Sequence, residues 1–292
     1  GQQGVERISI HAEIAPWQPE KYGQLAQQLG PPTKIVMQTA PDDIISIQAH
    51  VASPQLGPPT HLFAAIKDTT PPDPDEFKGL LNIYRSLRGL PGYLGAWPQP
   101  GALDRLPFGL GQGVPAGPGM NRLIGGLYRY TDGDMSILSF QPQVIDSSLP
   151  FIRSTEVDDE AQVRLRVGNL KGSQLEGWAN AQLYDRAKSG SVAGADFLSL
   201  LTRQLSVDPT TAAGSAEQIL GAGLQCTLGG QYQYSEPTGS WESDAWNGSA
   251  PAEDAPADYE APLMKWFRGA SGSLKQLDDR VIADLTVDVA RQ

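Results

Sequence analysis

The residue types best suited to sugar chemistry concentrate in segment 236–260. This segment carries seven acidic residues, no basic residue, two tryptophans and one tyrosine. Aromatic rings stack on the apolar faces of pyranoses, and carboxylates accept hydrogen bonds from hydroxyls or hold calcium. The pattern indicates a ligand-binding site made of Trp241, Glu242, Asp244, Trp246 and Tyr259.

The same segment supports two further interpretations. Glu242 and Asp244 form a pair of carboxylates of the kind that glycoside hydrolases use as acid and base. An acidic stretch with three prolines is also typical of an exposed, mobile loop whose tryptophans pack locally. The composition favours the loop, and a carbohydrate-active hydrolase is the alternative function.

A second group of chemically capable residues is the histidines, all of which lie before residue 62. If the strands that hold His11 and His50 pair, both imidazoles and Glu13 share one polar face. Two histidines and a carboxylate can bind a divalent metal. The hypothetical metal site is therefore His11, Glu13 and His50, and ordinary packed or solvated imidazoles are the other interpretation.

The glycine-rich stretch 109–119 resembles a phosphate-binding loop only in composition. Such a loop needs a strand before it and a helix after it, because the phosphate sits at the helix N-terminus. Pro115 and Pro118 interrupt any helix here. We therefore expect a linker or surface loop without regular structure.

Other catalytic and cofactor signatures are missing from the sequence. It has no Gly-x-Ser-x-Gly, no Gly-Lys-Ser or Gly-Lys-Thr, and a single cysteine, Cys226, which excludes internal disulfides and paired-cysteine zinc sites. We predict no cofactor. These observations favour a non-catalytic binding or scaffolding protein over an enzyme, with a protein or carbohydrate as its ligand.

Charge and hydropathy exclude two classes of partner. The formal net charge is −11, with no basic patch to offset it, so nucleic acid is not expected to bind. No apolar run reaches the roughly 18 residues that a membrane-spanning helix needs. A secreted or periplasmic location is expected, because the sequence starts without an initiator methionine, as a processed precursor does.

One short motif adds to the expectation of export. The residues Cys226, Gly229, Gly230 and Tyr232 have the spacing Cys-x-x-Gly-Gly-x-Tyr. This spacing resembles the endings of some exported bacterial pseudopilin-like proteins. The resemblance covers nine residues, 224–232, and bears on location alone.

The strands and helices that position these residues are predicted from the sequence pattern to form an α+β protein. Strands are predicted at 5–15, 162–167 and 280–289, and an Asp-Gly hairpin at 132–133. Helices are predicted at 73–88, 174–188, 191–205 and 208–220. We expect two modules of mainly antiparallel sheet with helices packed on one face, residues 1–108 and 120–292, joined by the linker 109–119.

An internal duplication of a strand-loop-helix unit is a further prediction. Residues 76–83 and 174–181 share the order polar, apolar, charged, Gly, apolar, apolar, Asn, apolar. Glycine inside a helix costs about 1 kcal/mol relative to alanine, so its repeated use at Gly79 and Gly177 suggests close approach of each helix to a sheet.

Overall fold

The computed structural model describes residues 4–15, 28–52, 57–70, 88–105, 111, 113–277 and 279–291. The predicted α+β class is confirmed, and the strands pair antiparallel. The strands are β1 Val5–Ile14, β2 Thr33–Gln38, β3 Asp43–Val51, β4 Thr60–Lys67, β5 Gly92–Trp97, β6 Val114–Gly117, β7 Met120–Arg122, β8 Tyr128–Asp132, β9 Met135–Ser139, β10 Arg153–Ala161, β11 Val163–Val167, β12 Tyr232–Ser235, β13 Ser240–Ser243, β14 Phe267–Gln276 and β15 Val281–Ala290.

Within the described ranges, the helices are fewer and shorter in total than the strands. They are α1 Pro142–Ser148, α2 Leu175–Arg203, α3 Pro209–Leu220 and α4 Pro262–Trp266, with 3₁₀ turns at Pro100–Arg105 and Ile124–Gly126. The predicted helices 174–188 and 191–205 form one continuous helix, α2, because Gly190 lies within its hydrogen-bonded turns without ending it. The helix predicted at 73–88 lies almost wholly outside the described residues.

The chain divides into two compact units, Gly1–Leu175 with Trp266–Gln292, and Glu176–Lys265. This division differs from the predicted boundary at 109–119. In the first unit, β14 and β15 lie between β1 and β11 in the sheet, although about a hundred residues separate β11 from β14 in sequence. The second unit is therefore inserted in sequence between two parts of the first unit. Pairing between strands so far apart leaves no signal in the composition, so this insertion could not be predicted from the sequence.

The first unit is built on an eleven-stranded antiparallel sheet in the order β1-β15-β14-β11-β3-β4-β5-β9-β8-β7-β6. One face carries a core centred on Phe63, Tyr93 and Ile137, which α1 covers with Val144 and Ile145. Gly95 lies across from Phe63 on the neighbouring strand. A Cβ atom at position 95 would lie only 2.1 Å from Cζ of the buried Phe63 ring, so only glycine fits. The separate pair β2–β10 contributes Met37 to the same core.

The glycine-rich stretch is a correction to the sequence analysis. Its described part contains strand β6, which pairs with β7, so the expected absence of regular structure is wrong. Gly113 and Gly119 adopt positive φ angles of 73° and 68° at the two ends of β6. The glycines therefore serve tight turns that flank a short strand.

The second unit packs α2 and α3 around Leu198, Leu201, Ala212 and Ala216. Helix α3 begins and ends as predicted: Asp208 accepts a hydrogen bond from the Thr210 backbone amide, and Gly221 ends the helix at φ 66°.

The duplication and the predicted packing of helices on the sheet are not confirmed. Gly177 is exposed, and a Cβ at this position would meet nothing within 4 Å, so its expected close approach to a sheet is wrong. Asp68 caps the start of α2, because its carboxylate accepts hydrogen bonds from the amides of Gln174 and Leu175. The first copy of the repeat falls mainly on residues that the structure does not describe.

Candidate functional site

One face of the large sheet carries two rows of polar side chains that cross five strands. The strand register aligns Ser46, Arg166, Ser271, Thr286 and Ser9 in the first row. It aligns Gln48, Arg164, Ser273, Asp284 and His11 in the second row. Alternate residues of a strand point to the same face, so both rows project from the same side of the sheet.

Apart from Ser9 and His11 at their ends, these rows line the floor of a groove of about 780 Å³. Its walls come from the β2–β10 pair and the segment before β10, including Met37, Gln38, Phe151, Arg153 and Asp159. A volume of this size is typical of small-molecule and oligomer binding sites. We call this site the β11 groove, because β11 supplies two of its arginines.

Gln48 and Arg164 fix the wall to the floor. The Gln48 Oε1 atom accepts a hydrogen bond from the Met37 amide at 2.8 Å. The Arg164 guanidinium donates to the backbone oxygens of Thr33, Asp159 and Ala161, with the shortest distance, 2.6 Å, to Asp159. Burial lowers the pKa of Arg164, and the carbonyl oxygens take up the donors of its guanidinium. These two side chains therefore hold the wall on the floor, and their hydrogen bonds to the backbone leave them less available for a ligand.

Arg166 is the cation that the groove leaves available. Its side chain is exposed, and it makes no hydrogen bond or ion pair with the part of the chain that the structure describes. Ser46 and Ser271 lie directly across from it on the neighbouring strands. A guanidinium flanked by hydroxyls can bind a carboxylate bidentately while the hydroxyls bond its neighbouring groups.

The two carboxylates that line the groove are both paired. Asp284 Oδ1 lies 2.7 Å from His11 Nδ1, and the pKa of His11 is raised, first by its hydrogen bond with Asp284 and then by its hydrogen bond with Glu13. Asp159 Oδ2 lies 3.7 Å from Arg164 Nη2. Each acid of the groove therefore has a basic partner within the same site.

The predicted metal ligands are not brought together. His11 and Glu13 are neighbours on β1, whereas His50 lies on β3, and three strands separate β1 from β3. The sequence hypothesis assumed that these strands pair, but β1 pairs with β15, and β3 pairs with β11 and β4. His50 instead stacks on His61 and bonds the Pro31 carbonyl. Within the described ranges, no cluster of three or more histidine, cysteine or acidic residues has the geometry to hold a metal.

The predicted sugar-binding residues lie in the second unit, where most of them are structural. Trp241 is buried in the helical core, and Trp246 donates its Nε1 hydrogen to Ser191 Oγ at 2.8 Å. Asp244 accepts from the Gln231 amide at 2.7 Å. Glu242 lies across from Gln233 in the β12–β13 hairpin. Part of the segment 236–260 is therefore the ordered strand β13 instead of a loop.

Tyr259 lines a small cavity of the second unit. This cavity of about 260 Å³ also has Glu176, Asn180, Asp258 and Glu260 in its wall. Tyr259 packs edge-on against Tyr184, and the Asn180 side chain donates to the Tyr259 carbonyl. Trp241 and Trp246 pack in the helical core, whereas Glu242 is half-buried in the β12–β13 hairpin and Asp244 is exposed, so these residues do not gather around the Tyr259 cavity.

The arginines of the groove are functional candidates that were not predicted from the sequence. The alternation Val163-Arg164-Leu165-Arg166-Val167 indicates two arginines on one face of a strand, and this signal was available. The residues across from them, Ser271 and Ser273, are about a hundred residues away in sequence, so only the register reveals the site.

Comparison with protein-family models, with curated proteins and with solved structures found no match to this chain. None of the described helices has the length and apolar character needed to cross a membrane.

Proposed function

We propose that this chain is an exported, non-catalytic binding protein whose ligand is an acidic carbohydrate held in the β11 groove. The observation that carries the proposal is Arg166, an exposed cation without a partner in the described structure, set between Ser46 and Ser271 on a hydroxyl-rich floor. The carboxylate of a uronic acid pairs with Arg166, and sugar hydroxyls exchange hydrogen bonds with the serines and Thr286.

Two further features support a carbohydrate over a simple anion. Phe151 is 44% exposed at the groove wall, where its ring can stack on the apolar face of a pyranose. The groove has a volume of about 780 Å³, which is enough room for more than one sugar unit. Because Asp159 and Asp284 are both paired with basic groups, binding without hydrolysis is the function that these contacts favour.

The test is a binding titration with fluorescently labelled trigalacturonate, with neutral maltotriose as the comparison sugar. We expect trigalacturonate to bind, with an affinity that falls as salt is added, and Arg166→Gln to raise its Kd about tenfold or more. Arg122→Gln is the matched control, because Arg122 is an exposed strand arginine far from the groove.

Three outcomes contradict the proposal. Absence of binding, or equal weakening by both substitutions, removes the groove as the site. Tighter binding of hexaglutamate than of trigalacturonate makes the ligand an acidic peptide. Cleavage of the oligosaccharide makes the protein a hydrolase, which is the alternative that the acidic residues of segment 236–260 suggested. Export from the cell, which the Cys226–Tyr232 resemblance implies, stays a prediction.

A further inference from the structure

The two edges of the large sheet are built differently. At one edge, β6 is four residues long, includes Pro115 and is flanked by glycines at positive φ. Proline and short length are devices that keep an edge strand from pairing with another chain. At the other edge, β1 is ten residues long and contains neither proline nor lysine. Only the β6 edge is protected in this way.

Along one side of β1, a regular set of backbone groups makes no strand pairing with the residues that the structure describes. The Gly4 carbonyl accepts from the Arg291 amide, so the even-numbered residues that follow direct their backbone groups toward β15. The odd-numbered residues from Val5 to Glu13 therefore direct theirs away from β15. The described part of the chain provides no strand on that side.

The side chains of β1 are also uncovered on the apolar face. Ile8, Ile10 and Ile14 are 50%, 51% and 57% exposed. On the same face, the strand register places Ile10 in one row with Leu285, Leu165 and Ile47 of the neighbouring strands. Each of these three side chains is also exposed. Exposed apolar side chains in a contiguous row are typical of an interaction surface.

We propose that two copies of this chain pair through β1, antiparallel, with Ile10 opposite Ile10 of the partner subunit. A two-fold axis makes such an interface self-complementary. In this register Arg7 lies opposite Glu13 of the partner subunit, and the same pair recurs on the other side of the axis. Ser9 lies opposite His11 of the partner subunit, and Ile8 lies opposite Ala12 of the partner subunit.

The neighbouring registers lack this complementarity. Since only odd-numbered residues bond across the new edge, the register can shift only in steps that keep odd residues opposite odd residues. One such shift puts Arg7 opposite His11 and leaves Glu13 opposite Val5. The other sets His11 opposite itself and Glu13 opposite Ser9. Like charges directly opposite each other destabilise a strand pair, whereas opposite charges stabilise it.

The existing partners of Arg7 and Glu13 leave donors and acceptors for this pairing. Arg7 contacts Asp288 through Nε at 3.1 Å. Among the residues described, its Nη groups pair with no carboxylate, so they can bind Glu13 of the partner subunit. Glu13 Oε2 lies 3.2 Å from Arg280 Nη1, and Oε1 lies 3.5 Å from His11 Nε2. These intrachain pairs are exposed and hold the side chains near the edge.

The pairing has a consequence for the polar face. Ser9 and His11 end the two polar rows of the β11 groove floor. With β1 strands paired, these rows continue directly into Ser9 and His11 of the partner subunit. The dimer therefore presents one polar surface with two grooves, whatever ligand the grooves bind.

Disulfide trapping on the full chain tests the register. Ile10→Cys places two thiols across the axis at about 4.5 Å between Cα atoms, within the range of a disulfide. Ile8→Cys is the matched control, since Ile8 has the same exposure and face. Its two copies lie roughly 14 Å apart in this register, at ~3.4 Å per residue. We expect a disulfide-linked dimer from Ile10→Cys and none from Ile8→Cys. The native Cys226 is buried, so the unaltered chain controls for disulfides that form through Cys226.

A second pair of variants tests the edge itself. Ser9→Pro removes an amide hydrogen that points away from β15, whereas the bonds between β1 and β15 stay intact. We expect Ser9→Pro to be monomeric by analytical ultracentrifugation while its circular dichroism matches that of the unaltered chain. Arg7→Glu should weaken the dimer, and Arg7→Glu with Glu13→Arg should restore it.

Several results overturn the proposal. They are a monomeric unaltered chain, equal trapping of Ile8→Cys and Ile10→Cys, or a folded Ser9→Pro variant that remains a dimer. Failure of trigalacturonate to bind has no bearing on these readouts, since the oligomeric state is measured without ligand.

Discussion

His61 stacks on His50 with ring centroids 4.6 Å apart, and both imidazoles are buried between β3 and β4. Burial is the main cause that lowers the pKa of His61 to about 4, and the charges of His50 and Arg164 contribute to this lowering. His61 is therefore neutral in the folded protein at pH values where the unfolded chain already binds a proton.

This difference predicts a loss of stability in mild acid. The unfolded state binds more protons below the ordinary pKa of 6.5, so the free energy of unfolding falls as the pH drops from there toward about 4, by about 3 kcal/mol at most. Urea unfolding across this window should show a smaller fall for His61→Phe than for the unaltered chain. Parallel curves for the two proteins would contradict the assignment.

The His11–Asp284 pair predicts a shift of opposite sign. The Asp284 hydrogen bond raises the pKa of His11, so protonated His11 supports the folded state below pH 6.5, and this support fades as the pH rises through the raised pKa. Proton NMR titration should place the His11 midpoint above 6.5. Asp284→Asn should lower the midpoint, whereas Asp288→Asn, on the same strand, should leave it in place. An unmoved midpoint in Asp284→Asn would show that the pair does not form in solution.

Tyr93 and Asp43 form a buried contact whose loss should destabilise the first unit. The Tyr93 hydroxyl donates to Asp43 Oδ2 at 2.6 Å, and the Ala40 amide donates to the same oxygen. Burial raises the pKa of Asp43, and the Tyr93 hydrogen bond opposes that rise. Tyr93→Phe should cost about 1–3 kcal/mol of unfolding free energy.

The control for Tyr93→Phe is Tyr128→Phe. Tyr128 packs against the same core, and its hydroxyl has no hydrogen bond with the residues described. Denaturant midpoints of the two variants should differ clearly. If both substitutions have the same small effect, the Tyr93–Asp43 bond does not contribute net stability.

Cys226 is expected to ionise more readily than a buried thiol normally does. Burial raises its pKa, but hydrogen bonds from Ser191, Ser243 and the amides of Leu228 and Gly230 outweigh burial, and the pKa is lowered. Trp246 donates to Ser191 Oγ, which frees the Ser191 hydrogen for the sulfur. The pH dependence of alkylation should move to higher pH in Ser243→Ala.

Ser240→Ala is the comparison variant for the thiol titration. Ser240 lies on the same strand as Ser243, and its hydroxyl bonds Thr238 instead of the sulfur. Its alkylation profile should follow that of the unaltered chain. Identical profiles for Ser243→Ala and the unaltered chain would exclude hydrogen bonding from Ser243 as a cause of the lowered pKa.

Local features of the chain were predictable because local rules decide them. Asp208, Pro209 and Gly221 delimit α3 through capping and backbone preference, as expected. The Asp132-Gly133 turn joins β8 to β9, and the alternating residues 280–289 form β15. Each of these elements depends on residues that are neighbours in sequence.

Tertiary structure alone decided which distant residues meet. Strand pairing put Ser271 and Thr286 in the row of Arg166, and it separated His11 from His50 by placing β15, β14 and β11 between their strands. Packing turned Trp241 and Trp246 toward α2, although composition alone suggested an exposed segment. Sequence periodicity specifies which face a side chain occupies, but the register that selects its neighbours is fixed by contacts summed over the whole sheet.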